Sequence, residues 1–270
     1  LDGQAIKKRE IVGYLNAVLF CPEDLWLIKG SPSGRRRFID LMISQVDRNY
    51  YQDFIKFNRI LLQRSHLLKK IQQQSAKPKL LDIWDDQLIE LAVKIHHRRN
   101  EVLREISELA GQIYAKITSG METFSAHYCV FDQDNTEIDF YRKWYQKRLF
   151  EVRNNDIRRG NTEFGPHKDD INFMIDDYEA KLFGSQCQQR TAVLSLKLAE
   201  IEMMKNITGE YPILLLDDVM SELDGQRRER LIQEIDGKIQ TFMTGTEIAI
   251  GLEKFTATYY SVSSGVVERM

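Results

Sequence analysis

Ile213-Leu214-Leu215-Leu216-Asp217-Asp218-Val219-Met220-Ser221-Glu222-Leu223-Asp224 decides how this chain is read. Four apolar residues follow Pro212 and read as a short strand buried on both faces. Asp217 and Asp218 stand at its C-terminal edge, the side on which open α/β sheets take their ligands. A strand ending in two carboxylates suits a nucleotide hydrolase. One carboxylate offers oxygen to Mg²⁺, and the other accepts a hydrogen bond from an attacking water. The plainer alternative is a core strand that runs into an acidic turn.

Upstream, Gly184-Ser185-Gln186-Cys187-Gln188-Gln189-Arg190 opens a helix. Ser185 can cap it, Val193, Leu194, Leu198, Ile201 and Met204 give it an apolar face, and Gly209 marks its end. The order is polar loop, helix, short turn, apolar strand, Asp-Asp, then Ser-Glu-Leu-Asp. This order resembles the core of the ATP-binding-cassette ATPases, with a signature loop at 184–190, a Walker B strand and a D-loop. The resemblance implies that Ser185, Gln186, Cys187 and Gln188 touch the γ-phosphate of ATP held by a partner subunit. A helix start presents backbone N–H groups suited to that contact. The resemblance also makes Ser221, Glu222, Leu223 and Asp224 the D-loop. It places Thr244 and Thr246 at a polar switch near the γ-phosphate.

Composition narrows the class. The 270 residues suffice for one or two domains, and 43% hydrophobic with 29% charged residues is ordinary for a globular protein. A net charge of −2 excludes a uniformly basic coat but leaves room for a local basic patch. The three cysteines, Cys21, Cys129 and Cys187, form neither a disulfide framework nor a zinc motif, which suits a reducing cytoplasm. No apolar run reaches the ~18 residues that would span a membrane. The sequence starts at Leu1 and holds no G-x-x-x-x-G-K-[ST]. A Walker B strand without a phosphate loop is incomplete, so the expectation is a fragment lacking its N-terminal segment.

Near the start, Ala17 to Phe20 is a β-rich apolar run. Gly30 and Pro32 mark a loop, after which Arg35, Arg36 and Arg37 begin a helix with Phe38, Ile39, Leu41 and Met42 as its apolar residues. Cations at a helix start oppose the macrodipole. Their functional reading is contact with phosphate, of DNA or nucleotide. The alternative is a solvated face, or ion pairs to Glu23, Asp24 and Asp40.

Pro22-Glu23, Leu27-Ile28, Gly30-Ser31-Pro32, Arg35-Arg36 and Phe38-Ile39-Asp40 match the RecF family at its spacing. A second match is Leu215-Leu216-x-Asp218-x-x-Ser221-Glu222-Leu223-Asp224-x-x-Arg227-x-x-x-Leu231. Gly165-Pro166-His167-Lys168-Asp169-Asp170 and Gly184-Ser185-Gln186 also resemble the family, so the likeness runs from about residue 5 to Thr246. It implies an α/β fold, the C-terminal portion of an ABC/SMC-type P-loop ATPase head with an inserted α-helical lobe. Residues 1–22 would end lobe I, 23–207 would form helical lobe II, and 208–270 would complete lobe I. The implied role is ATP-dependent DNA binding in recombinational repair and replication restart, with RecR, promoting RecA loading at gaps. Implied partners are Mg²⁺, ATP, DNA at single-strand/double-strand junctions, and a second copy in an ATP-dependent homodimer. At Cys187 the sequence departs from the family, where Gly is expected. A Cβ there would crowd the phosphate or restrict φ.

Between these motifs lies a helix pair at 47–118. Tyr50, Phe54, Phe57, Leu61, Leu68 and Ile71 follow a 4-3 spacing broken by Arg64. Trp84, Leu88, Leu91, Ile95, Val102, Leu109 and Ile113 follow another, broken by Arg98. The reading is a helical hairpin that buries its own seam. Its exposed Lys, Arg and Gln offer a possible track for a phosphate backbone. The pair alone also fits a non-catalytic helical interaction module or an SMC-like DNA tether. Residues 124–131 read as a strand, 136–157 as a helix, 171–183 as a hairpin, and 256–262 as a last strand.

Asp217 is thus expected to hold Mg²⁺ and Asp218 to align water, with weak DNA-stimulated ATPase activity in a chain that also has a phosphate loop. The 270 residues alone should release no phosphate from ATP above the buffer rate in a phosphate-release assay. Measurable turnover would show that the phosphates are gripped by some other element of this sequence.

Overall fold

The computed structural model describes residues 12–129, 137–245 and 257–270. In chain order, β1 (Ala17–Phe20) leads into α1 (Trp26–Lys29), α2 (Pro32–Val46), and the long pair α3 (Arg48–Gln72) and α4 (Leu81–Ile117). β2 (Phe124–Tyr128) and α5 (Ile138–Arg159) precede the hairpin of β3 (Ile171–Ile175) and β4 (Tyr178–Glu179). After α6 (Ala180–Phe183) and α7 (Gln186–Thr208) come β5 (Ile213–Asp217), α8 (Val219–Glu222), α9 (Gly225–Ile235) and β6 (Thr241–Thr244). A hairpin of β7 (Tyr260–Ser263) and β8 (Val266–Arg269) closes the described chain.

Local chemistry sets the helix ends. Pro32 occupies the first turn of α2, where a missing N–H costs nothing. The Asp47 carboxylate accepts the Tyr50 N–H at 2.9 Å and starts α3. Ser185 and Gln188 form a reciprocal capping box on α7, and Gly209, at φ 82°, ends that helix in the left-handed region. Both the serine cap and the glycine stop were legible in the sequence.

β1, β5 and β6 form a parallel sheet with β5 in the middle, and β2, β3 and β4 form an antiparallel one. Parallel pairing puts the C-terminal ends of β1, β5 and β6 on one edge. The expectation that β5 is buried on both faces does not hold among the described residues. Leu214 and Leu216 are 1% exposed, but Leu215 is 36% exposed, in a row with exposed Leu19 and Phe242. The strand therefore alternates, with one face in the core and the other open.

The helix pair also differs from a self-contained hairpin. α4 packs on α3 along one side and on α7, β2 and α5 along others. Its buried residues accordingly run round the helix: Ile89, Ala92, Val93, Leu103 and Ile106 join the expected stripe. The periodicity of one stripe concealed this, because α4 is the central helix of the core rather than half of an arm.

Two buried ion networks fix how the helices meet. Arg64 of α3, which breaks the apolar stripe, is fully buried and donates to Asp85 of α4 at 2.6 Å, Asp156 of α5 at 2.7 Å and Thr162 at 2.8 Å. Burial pushes the Asp85 carboxyl up, and the adjacent guanidinium pulls it back. Arg99 of α4, beside the expected stripe-breaker Arg98, forms the second network. It forks onto Asp40 of α2 at 2.8 and 2.9 Å, and reaches the Tyr128 hydroxyl at 3.1 Å and the Pro166 carbonyl at 2.6 Å. Arg98 itself lies nearer the surface and pairs with Asp47.

Removing one partner of a buried ion pair strands the other charge, at a cost of about 3–5 kcal/mol. Arg64→Met is expected to lower stability in urea, followed by circular dichroism, by that amount. Adding Asp156→Leu should recover part of the loss. A loss near zero for Arg64→Met would show that water reaches this network.

Candidate functional site

Pairing of β5 with β6 places Asp217 opposite Thr244 at the C-terminal edge of the sheet. The Thr244 hydroxyl donates to the Asp217 carboxylate at 2.6 Å. The Asp218 N–H points back to the Thr244 hydroxyl and carbonyl oxygens, each at 3.2 Å. The sequence raised the Asp217–Asp218 pair and Thr244 separately, and the sheet brings them together. Asp218 sits at φ 52°, a left-handed conformation that Asp tolerates better than most residues. This kink ends the strand and turns the chain into α8. Asp217 is exposed, Asp218 is half-buried, and neither enters an ion pair among the described residues. Their carboxylates remain open to a ligand. Thr246 lies outside the described residues.

At the second motif, Ser185 Oγ accepts the Gln188 N–H at 3.2 Å, and the Gln188 side chain accepts the Ser185 N–H at 2.8 Å. The cap thus uses the N–H of Gln188 and leaves those of Gln186 and Cys187 as open donors of the first turn. Gln188 reaches further: its amide donates to Glu122 at 2.9 Å, and Glu122 accepts the buried Tyr114 hydroxyl of α4 at 2.8 Å. Burial, then the Glu122 carboxylate, raise the Tyr114 phenol far above its ordinary range. Glycine is needed at the entrance to the turn. A Cβ on Gly184 would stand 2.6 Å from the Ala180 carbonyl oxygen. At Cys187 no such demand exists, since the residue lies in the first turn of α7 and is not at positive φ. The expected φ penalty for the missing glycine is therefore absent.

The Ser-Glu-Leu-Asp segment forms α8 and the start of α9. Ser221 Oγ donates to the Asp218 carbonyl at 2.8 Å, Glu222 closes α8, and Leu223 is buried. Asp224 caps α9 by accepting the Arg227 N–H at 2.9 Å.

Arg227 is the residue that site reasoning missed. Its guanidinium pairs with Asp224, donates to Thr191 Oγ1 at 2.7 Å, and donates to Cys187 Sγ at 2.9 Å. One side chain therefore ties the Asp224 loop to the Ser185 turn. It stood in plain view in the Leu215–Leu231 pattern, but spacing does not reveal a contact 40 residues away.

The three arginines at the start of α2 separate. Arg35 is buried and forks onto Asp170 at 2.8 and 2.9 Å, with a further bond to the Gly30 carbonyl at 3.0 Å. Its charge is spent inside the protein, which corrects its reading as a phosphate contact and supplies the missing reason for a cation at a helix start. Arg36 is half-buried and donates to the Asp169 carbonyl at 2.5 Å. Arg37 is exposed. The Gly165–Asp170 motif is thus a docking strip for Arg35, Arg36 and Arg99.

No group of three His, Cys, Asp or Glu side chains among the described residues could hold a metal ion. No helix among them is long and apolar enough to cross a membrane.

Arg227→Ala removes two neutral acceptor contacts and one ion pair, each worth about 1 kcal/mol or less. A drop of roughly 1–2 kcal/mol in urea unfolding is expected. Arg227→Lys should restore only part of it, because an ammonium lacks the planar fork. Full recovery with Lys would show that charge alone matters.

No family model matches the sequence. Individual relatives do. The DNA replication and repair protein RecF of Exiguobacterium sp. is 43% identical over 263 residues, 96% of this chain and 71% of that protein. RecF of Halalkalibacterium halodurans is 40% identical over 265 residues, with the same shares. RecF of Bacillus subtilis is 42% identical over 245 residues, 90% of this chain and 66% of that one. Among solved structures, the recombination mediator RecF with ATPrS, of the RecFOR pathway, superposes with a TM-score of 0.89 at 32% identity, over 98% of this chain and 71% of its own. RecF with ATP gives 0.88 at 34%, over 97% and 69%. The fold shared with these RecF structures over almost the whole chain is that of an ABC/SMC-type ATPase head. By sequence and by fold, this chain belongs to the RecF family.

Proposed function

We propose that the chain is the Walker B and signature-bearing part of an ATP-dependent DNA-binding protein of recombinational repair and replication. The observation that carries this reading is the Asp217–Thr244–Asp218 cluster at the sheet edge, seen in a chain of this family. ATP is its proposed substrate, in keeping with the ATP-bound RecF structures it resembles. An exposed and a half-buried carboxylate, with no third ligand among the described residues, suit Mg²⁺, which favours one or two carboxylates together with substrate phosphates and water. When bound, Mg²⁺ would neutralise phosphate charge. Asp217 would hold it through the oxygen not engaged by Thr244, while Thr244 fixes that carboxylate's rotamer. Asp218 is assigned the water, accepting its proton as the water attacks. An aspartate sets this acceptor one methylene further back than a glutamate would, consistent with slow turnover.

Ser185 and the N–H groups of Gln186 and Cys187 are assigned to the γ-phosphate of a second subunit, so that ATP joins two heads. The Gln188 N–H belongs instead to the cap. Arg227 supports this assignment by holding the Ser185 turn against the Asp224 loop, which makes one continuous surface of the two. DNA at single-strand/double-strand junctions, RecR, loading of RecA at gaps and a cytoplasmic location complete the proposal. These rest on family membership alone.

In the whole protein, Asp218→Asn should still bind ATP, by nucleotide fluorescence, while hydrolysis falls by ~10²-fold or more. Turnover at the unsubstituted rate would take Asp218 out of this role. Dimerisation by light scattering should require ATP, and Ser185→Arg should abolish it without loss of ATP binding.

A further inference from the structure

An open cleft of about 450 Å³ lies between the start of α2, the first half of α3 and the Gly165–Asp170 strip. It shares no residue with the Asp217 and Ser185 clusters. Its size falls within the 300–1,000 Å³ usual for small-molecule sites. It is lined by Arg36 and Arg37 from α2, by Tyr51, Phe54 and Asn58 from α3, and by His167.

The charge at this cleft is one-sided. Asp40 also lines it, but its carboxylate is taken by Arg99 and the Tyr50 hydroxyl. Arg36 uses one nitrogen on the Asp169 carbonyl and meets no carboxylate among the described residues. Arg37 makes no hydrogen bond or ion pair among them. Arg36 and Arg37 thus line the cleft without a carboxylate partner among the described residues. Burial holds the His167 imidazole below its ordinary range, so at neutral pH the ring adds no charge, and its Nε2 is bonded to the Thr162 carbonyl at 2.9 Å. The Phe54 ring is already stacked on Tyr50, at 6.1 Å between centroids, which stiffens that aromatic wall.

Guanidinium forks beside aromatic faces match one ligand chemistry, a phosphate joined to a planar base. We propose that this cleft binds a single nucleotide unit, with its phosphate on Arg36 and Arg37 and its base against Tyr51 and Phe54. The unit can come from an unpaired position of a DNA strand or from a free mononucleotide. Only the first source rests on the DNA-binding reading above.

Calorimetry on the protein with thymidine monophosphate, thymidine and inorganic phosphate tests this directly. Thymidine monophosphate should bind, and the other two should bind at least about tenfold more weakly, since each lacks one half of the contact. Arg37→Ala and Tyr51→Leu should each weaken thymidine monophosphate by about tenfold. Arg37 is exposed and without an internal bond, so its variant should fold normally. Absence of binding at millimolar nucleotide, or binding untouched by both variants, overturns the proposal. Fluorescence anisotropy then separates the sources. A DNA source predicts that both variants weaken a duplex with a six-nucleotide single-stranded tail more than a blunt duplex. Equal affinity for variants and parent on both DNAs, with the thymidine monophosphate effects intact, assigns the cleft to free nucleotide. A protein that binds neither DNA at low salt sinks the DNA-binding reading, and the cleft then stands or falls on the calorimetry.

Discussion

The N–H groups of Arg99 have to be met inside the protein, because its side chain is out of reach of water. An unpaired buried guanidinium would cost several kcal/mol, so its acceptors dictate where neighbouring elements sit. Asp40 brings α2, the Tyr50 hydroxyl brings α3, Tyr128 brings β2, and the Pro166 carbonyl brings the strip before β3. Tyr128 passes the constraint on by donating to Asp169 at 2.6 Å. Burial raises the Tyr128 phenol well above its usual range, so it stays a donor at any physiological pH. A shift of α4 by one residue would turn Arg99 by about 100° and break every one of these bonds at once. Hydrophobic packing alone would tolerate several registers of a 37-residue helix, and this network selects one.

The same constraint determines which arginines of α2 face outward. Asp169 and Asp170 are adjacent, yet they divide their work. The Asp169 carboxylate belongs to Tyr128, and the Asp170 carboxylate belongs to Arg35. With both acids committed, Arg36 finds a backbone carbonyl, and Arg37 has no hydrogen bond or ion pair among the described residues. The basic character of the cleft beside α2 is therefore a consequence of how the interior was satisfied. No excess of positive charge was required, and the chain as a whole is slightly acidic.

Much of this was legible in the sequence, and the limits were physical. The serine cap, the glycine stop and the Asp-Asp strand end are local signals, fixed by groups within a few residues of one another. The helix pair followed from periodicity. Pairings such as Arg35–Asp170, separated by 135 residues, and Arg227–Cys187, separated by 40, leave no local trace. A run of three arginines looks uniform until the partners of each are known. Burial of Leu215 failed for a related reason. An apolar run says that a strand could be covered on both faces, while what covers it is decided by other parts of the fold. Cys187 carries the opposite lesson. Departure from a family pattern suggested strain, but the backbone there is ordinary helix, and the glycine that the turn requires is Gly184.

Stiffness is graded along α4. Its middle is locked by Arg99, with every partner buried. Near its C-terminal end, Tyr114 reaches the Ser185 turn through Glu122 and Gln188, by bonds of 2.8 and 2.9 Å that lie partly in solvent. Such bonds contribute only about 1 kcal/mol each, and water can replace them. From the other side the turn is held by Arg227, through similarly replaceable contacts to Thr191 and Cys187. The turn assigned to a partner's phosphate is thus suspended between the helical lobe and the Asp224 loop by polar links that are cheap to break. These links are weaker than the buried bonds around Arg99 in the middle of α4 and the buried Gln189–Ala180 bond at 2.9 Å that anchors the start of α7. Among the described residues, the turn and the Asp224 loop are thus joined to their surroundings by partly solvated bonds, while the middle of α4 behind them is joined by buried ones.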